Sequence, residues 1–234
     1  MTRTKAYSVN CLFINLLWPI GILIFLYTGR NKETLPSLIA LYQSGNEKAT
    51  LFLTLGIVAV TFLATAMNSL VSTAFTREGA HLSLIKYIPI KYRIQLYAKA
   101  AVSVFITFPA ILSCIIILGV ALQIHPLYLL YYSLISLAVI VLTTVIGLVL
   151  DSTHLHNSWD DEYSALRGNL NSFFDMALVM VISILIITLS LLVYEFTPMG
   201  LAAFHILLAA ILLAAAVSSV IFGEKKVIEN MKSL

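Results

Sequence analysis

Side chains that could do chemistry are concentrated in two charged segments of this chain, residues 77–99 and 151–171. The second segment combines imidazole and carboxylate groups, which together suit zinc or manganese: His154, His156, Asp160, Asp161 and Glu162. Their spacing differs from the helical HExxH zinc pattern, and no third histidine lies nearby. A hydrolase involving His81 is disfavoured too, because catalytic groups of an intramembrane enzyme belong in helices that face a cavity. We therefore predict no metal site and no cofactor bound by this chain.

Asp175 is the one candidate for ion-coupled chemistry. Ion-driven transporters keep ionisable groups near the membrane midplane, and Asp175 lies about one turn inside the fifth predicted helix, whose bounds are given below. A carboxylate there suits proton or cation binding. At the edge of a helix it can also reach water or Arg167, so a structural role is the interpretation we favour.

The first charged segment, residues 77–99, contains five of the fourteen Lys and Arg residues. Leu82, Ile85 and Ile88 recur at three-residue spacing, which predicts a short amphipathic helix that ends before Pro89. Charged side chains surround this apolar stripe: Arg77, Glu78 and Lys86. Two interpretations stay open, because such a helix suits a groove on a soluble partner and the surface of anionic lipid equally well.

The elements that position these segments are apolar. Hydrophobic residues make up 60% of the chain and charged residues 11%, against about a quarter charged in soluble domains. Five stretches without Asp, Glu, Lys or Arg are long enough to cross about 30 Å of hydrocarbon, and the longest is broken by a turn at residues 123–126. We predict an all-α integral membrane protein, a single transmembrane domain over residues 1–234. Its six transmembrane helices are expected at about 9–27, 50–75, 92–122, 127–150, 172–194 and 200–222.

Lys and Arg are distributed unevenly between alternate loops, and cytoplasmic loops carry the excess. With the N-terminus inside, eleven of the fourteen are cytoplasmic, and only Arg30, Lys32 and Lys48 face out. We therefore predict that both termini and both charged segments face the cytoplasm. Residues 30–48 are expected to form a short interfacial helix on the outer side.

The sequence contains no phosphate-binding loop GxxxxGK[ST] and no Gly-Lys dipeptide. Such a loop surrounds nucleotide phosphates with backbone N–H groups and a lysine. We therefore expect a chain that is not an enzyme and does not hydrolyse ATP. Energy for any ATP-driven function would come from a partner.

The order of residues in the two charged segments is distinctive. Residues 72–79 read STAFTREG, followed by LIKYIPI at 84–90 and Ala98-Lys99. The second segment keeps the spacing Asp-x7-Trp-x2-Glu-x2-Ala-x-Lys/Arg-x-Asn-x-Asn, through Asp151, Trp159, Glu162, Ala165, Arg167, Asn169 and Asn171. These motifs resemble those of bacterial ABC type-2 exporter permeases. The resemblance covers residues 72–171, is looser at Trp18-Pro19, and departs at 155–158, where Pro-Lys-Leu-Asn would be expected.

The resemblance implies a helical conduit with cytoplasmic loops that contact a separate ATPase, which binds ATP and magnesium. Conformational changes of the ATPase would move these loops. The chain resembles the C-terminal six-helix half of a longer permease, which implies a second permease chain as a partner. Residues 79–88 would be the coupling helix. The residues assigned to ATPase coupling are Arg77, Glu78, Gly79, Leu82, Ile85, Lys86, Pro89, Trp159, Glu162 and Arg167. Those assigned to the conduit or to packing are Asn68, Asn169, Asn171 and Asp175.

We therefore expect a permease subunit of an ATP-binding cassette exporter in a bacterial plasma membrane. Its cargo would be a peptide, a lipid or an amphipathic small molecule, and no nucleic-acid partner is expected. Two alternatives stay open. One is a non-transport membrane anchor or regulatory subunit that uses the basic loop for docking, and the other is an ion-coupled carrier centred on Asp175.

Overall fold

A computed structural model describes residues 8–30, 34–155, 159 and 169–233 of the chain. These residues form helices and no strand. Their α-helices are α1 (Ile14–Arg30), α2 (Thr34–Gln43), α3 (Glu47–Ala66), α4 (Tyr92–Leu122), α5 (Pro126–Thr153), α6 (Leu170–Phe196) and α7 (Leu201–Ser233). A π-helical turn, Ser8–Phe13, leads into α1, and a 3-10 helix covers Thr76–Lys86. Six of the seven α-helices, all except α2, are long and apolar enough to cross a membrane, so the six predicted spans are confirmed.

Helix α5 is the centre of the bundle and contacts α3, α4, α6 and α7. One face of its middle turns is fully buried, with Tyr132, Ile135, Val139 and Ile140 at the core. Helix α1 lies at the periphery, against α4 and α2. Burial of apolar side chains around one helix therefore organises the fold.

Helix α3 ends at Ala66, nine residues before the predicted end at residue 75. The side-chain oxygen of Asn68 accepts the N–H of Leu70 at 3.2 Å, and its amide nitrogen donates to Thr107 Oγ1 of α4 at 3.0 Å. An asparagine that bonds local backbone in this way competes with the helical pattern. The prediction was wrong because residues 67–75 contain no charge and were assigned to the apolar run.

Helix α7 continues to Ser233, well beyond the predicted end at residue 222. Gly223, Val227 and Met231 recur at four-residue spacing and are buried. Gly223 lies so close to α5 that an added Cβ would be 2.2 Å from Val145 Cγ1. The charged C-terminal segment is thus part of an amphipathic helix. Its Lys and Glu residues are the reason why the predicted helix ended at residue 222.

The two ends of the bundle are built from different segments. At one end, which we call the Asp151 end, Val71 and Phe75 pack against Val227 and Met231 near the C-terminus, and Leu70 packs against Cys11 near the N-terminus. At the other, the Glu195 end, Glu195 lies 4.0 Å from Lys48. The short helix α2 also lies there, since Gln43 Nε2 donates to Gln123 Oε1 at 2.9 Å. Both described termini and the first charged segment thus share one end, as predicted, while the side of the membrane that this end faces stays a prediction.

Candidate functional site

Asp151 anchors the site from the last turn of α5. Its carboxylate is completely buried. Oδ2 accepts the N–H of Phe75 at 2.5 Å and that of Thr76 at 3.2 Å, while Oδ1 accepts the Thr76 hydroxyl at 2.6 Å. Asn171 Nδ2 of α6 also donates to Oδ1, at 3.3 Å. One side chain therefore joins α5, the start of α6 and the first charged segment.

The segment between α3 and the 3-10 helix is non-helical yet buried, with residues 70–76 all inside the protein. Buried backbone groups need partners, and side chains supply several of them. Arg77 donates from Nε to the carbonyl of Thr73 at 3.1 Å and from Nη2 to that of Leu70 at 2.9 Å. Arg77, assigned to ATPase coupling, thus binds carbonyls just before the predicted coupling helix.

Lys99 of α4 also binds this segment. Its Nζ donates to the carbonyl of Ala74 at 2.9 Å, forms an ion pair with Glu78, and lies 4.9 Å from the centre of the Phe75 ring. Both ionic side chains are mostly buried. Glu78, predicted as a coupling residue, is therefore partnered within the chain.

Trp159 joins the two charged segments directly. Its indole Nε1 donates to the carbonyl of Thr76 at 2.9 Å, and its ring covers Gly79 so closely that an added Cβ would be 2.7 Å from Trp159 Cζ2. Gly79 adopts φ 50° and ψ −129°, a conformation that only glycine adopts without strain. The tryptophan and the glycine, 80 positions apart by number, form one contact.

The start of α6 carries three of the predicted polar residues. Asn169 caps the helix by accepting the N–H of Asn171 at 2.8 Å, and Asn171 Nδ2 donates to the carbonyl of His154 at 2.5 Å. One turn deeper, Asp175 is only 2% exposed. The expectation that Asp175 reaches water is therefore wrong, because α6 presents it to the interior. Asn169 Nδ2 and Asp175 Oδ1 are both buried without a hydrogen-bond partner.

The predicted coupling helix differs from expectation. A 3-10 helix begins at Thr76, is interrupted at Gly79 and ends at Lys86. The side chain of Ile85 lies outside the described part of the structure. Leu82 is buried against the Asp151 end. Ile88 lies beyond the helix and is exposed, so it does not extend the predicted stripe. Pro89 restricts the residue before it to extended conformations, which ends the helix earlier than predicted.

Beyond the 3-10 helix the chain forms an exposed tip at residues 86–91. Every side chain of this tip is exposed, and Tyr87 reaches 81%. Lys86 and Lys91 lie in it, and Arg93 follows on α4, where its Nε lies 2.8 Å from Glu224 Oε1 of α7. The tip is thus a basic and partly apolar protrusion. It stands on the buried contacts that Asp151, Lys99 and Trp159 make with residues 74–79, which we call the base.

Most predicted site residues converge at the Asp151 end: Asn68, Arg77, Glu78, Gly79, Leu82, Trp159, Asn169, Asn171 and Asp175. Lys86 and Pro89 form the exposed tip. Glu162 and Arg167 lie outside the described residues, as do four residues of the metal hypothesis: His156, Asp160, Asp161 and Glu162. Asp151 and Lys99 belonged to the motifs but were not selected as site residues, although their positions in the motifs were a signal. No family model, curated protein or solved structure matches the chain.

Proposed function

We propose that this chain is the transmembrane permease subunit of an ATP-binding cassette exporter in a bacterial plasma membrane. It takes its energy from a separate ATPase subunit that binds ATP and magnesium. Its cargo is a peptide, a lipid or an amphipathic small molecule. The exposed tip at residues 86–91 contacts the ATPase, and the buried base at the Asp151 end transmits the motion to α3, α4, α5 and α6.

The observation that carries the proposal is the convergence of the two motif segments on one buried base. Asp151 and Trp159 contact residues 75 and 76 across more than 70 positions, and Asn171 binds Asp151 from the start of α6. Force applied to the tip would reach α4 through Lys99 and α5 through Asp151. Such a rigid connection between an exposed loop and several spanning helices suits a coupling device.

The packing of the bundle favours a conduit shared with a second permease chain. The centre of the described bundle is filled by the buried side chains of α5, including Tyr132, Val139 and Ile140. A path for cargo would therefore run along an outer face of this subunit. An apolar groove of about 370 Å³ between α4, α5 and α7, which ends at Glu224 and Tyr97, suits the apolar part of an amphipathic cargo.

Co-purification from the native host tests the proposal. We expect tagged protein in mild detergent to recover an ATP-hydrolysing P-loop ATPase, and Lys86→Glu to lose it. Lys48→Glu at the Glu195 end is the matched control, because it reverses an exposed lysine on the other side of the bundle. Glu78→Lys breaks an internal ion pair, so the compensating double variant Glu78→Lys/Lys99→Glu should retain the ATPase. Recovery without an ATPase contradicts the proposal.

Contact of the basic loop with anionic lipid, the other interpretation of this segment, is the second candidate, and the composition of the tip favours it. Tyr87, Ile88 and Ile90 are exposed beside Lys86 and Lys91, as in segments that rest on anionic lipid. In that case Ile88→Ser/Ile90→Ser would move a fluorophore attached to the tip from the lipid surface into water, in protein reconstituted in vesicles of anionic phospholipid. For an exporter, the same double variant would instead weaken ATPase binding and transport.

A further inference from the structure

Asp175 has an environment that neither the coupling role nor the conduit role explains. Asp175 and Asn171 lie one turn apart on the same face of α6, and Asn171 binds Asp151. Asp175 is therefore one turn deeper in the bundle than Asp151. There its Oδ2 approaches α5 at Gly147, where an added Cβ would be 3.2 Å from that oxygen. Gly147 thus provides the space that the carboxyl group occupies.

Oδ1 of Asp175 has no hydrogen-bond partner, and no cation pairs with the group in the described residues. The elements packed against α6 are α3 and α5. The ionisable residues of α3, Glu47 and Lys48, lie at the Glu195 end, and the intervening residues 67–76 contain none. On α5, Asp151 is the ionisable group at this end, and donors from Phe75, Thr76 and Asn171 already surround it.

An isolated carboxylate in such a place is costly, and a buried acid without a partner becomes neutral by binding a proton. Two ionised carboxylates one turn apart would also repel each other. A metal ion would need several oxygen or nitrogen ligands, and no group of three His, Cys, Asp or Glu side chains that could hold one occurs in the described residues. The geometry therefore favours a proton over a metal cation.

We propose that Asp175 is a proton-binding site, and that its occupancy holds the start of α6 against Gly147 and Val71. The carboxylate of Asp175 takes one proton and becomes a neutral acid in the packed arrangement described above. When the proton leaves, the anion requires water or a cation, and this end of α6 must separate from α5 to admit it. The helix contact beneath the coupling base thus depends on pH.

Infrared spectroscopy of the protein in lipid bilayers tests proton binding directly. We expect wild type at neutral pH to show the carbonyl stretch of a protonated carboxylic acid, distinct from the carboxylate bands. Asp175→Asn should remove this band. Glu229→Gln, which removes an exposed acid of α7, should leave it unchanged. Absence of the band from wild type, or its survival in Asp175→Asn, would overturn the proposal.

Thermal unfolding supplies the second readout. A native state that holds a proton released on unfolding loses stability as pH rises. The unfolding midpoint of wild type should therefore fall from mildly acidic to mildly alkaline pH more steeply than that of Asp175→Asn. Parallel curves for the two proteins would contradict the role in packing. Neither readout involves an ATPase, so this inference and the exporter proposal can fail separately.

Discussion

The two ends of the bundle differ in the burial of their charged residues. At the Asp151 end, buried side chains bind backbone groups of segments that are distant in sequence. At the Glu195 end, Lys48 and Glu195 are 69% and 67% exposed, and their side chains are 4.0 Å apart. Removing a partner from a buried polar contact leaves an unsatisfied group, whereas an exposed pair exchanges its partner for water. The charged residues of the Asp151 end therefore form a fixed base, whereas the Lys48–Glu195 pair at the Glu195 end does not.

Asp151→Ala should produce the largest difference between the ends. It removes the acceptor of the Phe75 and Thr76 N–H groups and one of the two acceptors of the Asn171 amide, which we expect to cost about 3–4 kcal/mol of unfolding free energy. The measurement is unfolding in detergent, with Glu195→Ala as the control, for which we expect less than about 0.5 kcal/mol. Equal losses for the two variants would remove the distinction between the ends.

Gly79→Ala should have the second largest effect. The added methyl is strained by the backbone conformation and collides with Trp159, so we expect a cost of about 2–3 kcal/mol. Gly45→Ala is the matched control, because Gly45 also has a positive φ, 71°, but nothing lies within 4 Å of an added Cβ. It should cost about 1 kcal/mol.

Fluorescence separates strain from displacement of the tryptophan in these glycine variants. In a Trp18→Phe background, Trp159 is the one tryptophan left. Its emission should shift to longer wavelength in Gly79→Ala, because the ring moves into water, and should not shift in Gly45→Ala. An unchanged emission in Gly79→Ala would show that the contact between the two segments does not depend on this glycine.

The Glu78–Lys99 pair should show a measurable coupling energy, and the Lys48–Glu195 pair should not. A double-mutant cycle with Glu78→Gln and Lys99→Met should give about 1 kcal/mol, because both side chains are mostly buried. The corresponding cycle at Lys48 and Glu195 should give less than about 0.5 kcal/mol. Similar coupling energies in the two cycles would mean that burial does not distinguish these pairs.

Lys86→Glu should have the smallest effect on stability, within about 0.5 kcal/mol, because the side chain is exposed and belongs to the tip rather than to the base. We expect the same variant to weaken binding of the ATPase at least tenfold, the size that about 1.4 kcal/mol represents. The comparison of unfolding with binding in one variant separates the tip from its base. A loss of stability would place Lys86 in the base instead.

The sequence predicted the spanning helices well, because long uncharged runs need internally bonded backbone in lipid. Helix α4 begins and ends at the predicted residues, Tyr92 and Leu122. The ends of α3 and α7 were wrong for local reasons. Asn68 stops α3 through side-chain bonds, and the spacing of Val227 and Met231 continues α7 within a charged sequence.

The sequence indicated which residues belong to the candidate site, but not which of them contact each other in the folded protein. The motifs indicated that residues 72–99 and 151–171 belong together, but spacing along the chain does not specify that Asp151 receives the backbone of Phe75 and Thr76. The burial of Asp175 was also missed. It depends on Gly147 of the neighbouring helix, and pairing of two helices is set by tertiary packing.

Site-specific cross-linking in native membranes tests the central claim most directly, namely that the tip on the Asp151 end contacts an ATPase. With Cys11 and Cys114 replaced by serine and alanine, single cysteines at positions 86 and 48 would carry the same photo-activated cross-linker. We predict that the cysteine of Lys86→Cys captures a P-loop ATPase, that its yield changes when ATP is added, and that the cysteine of Lys48→Cys captures none. Capture of the ATPase from position 48 and not from position 86, or of lipid alone from both, would contradict the account.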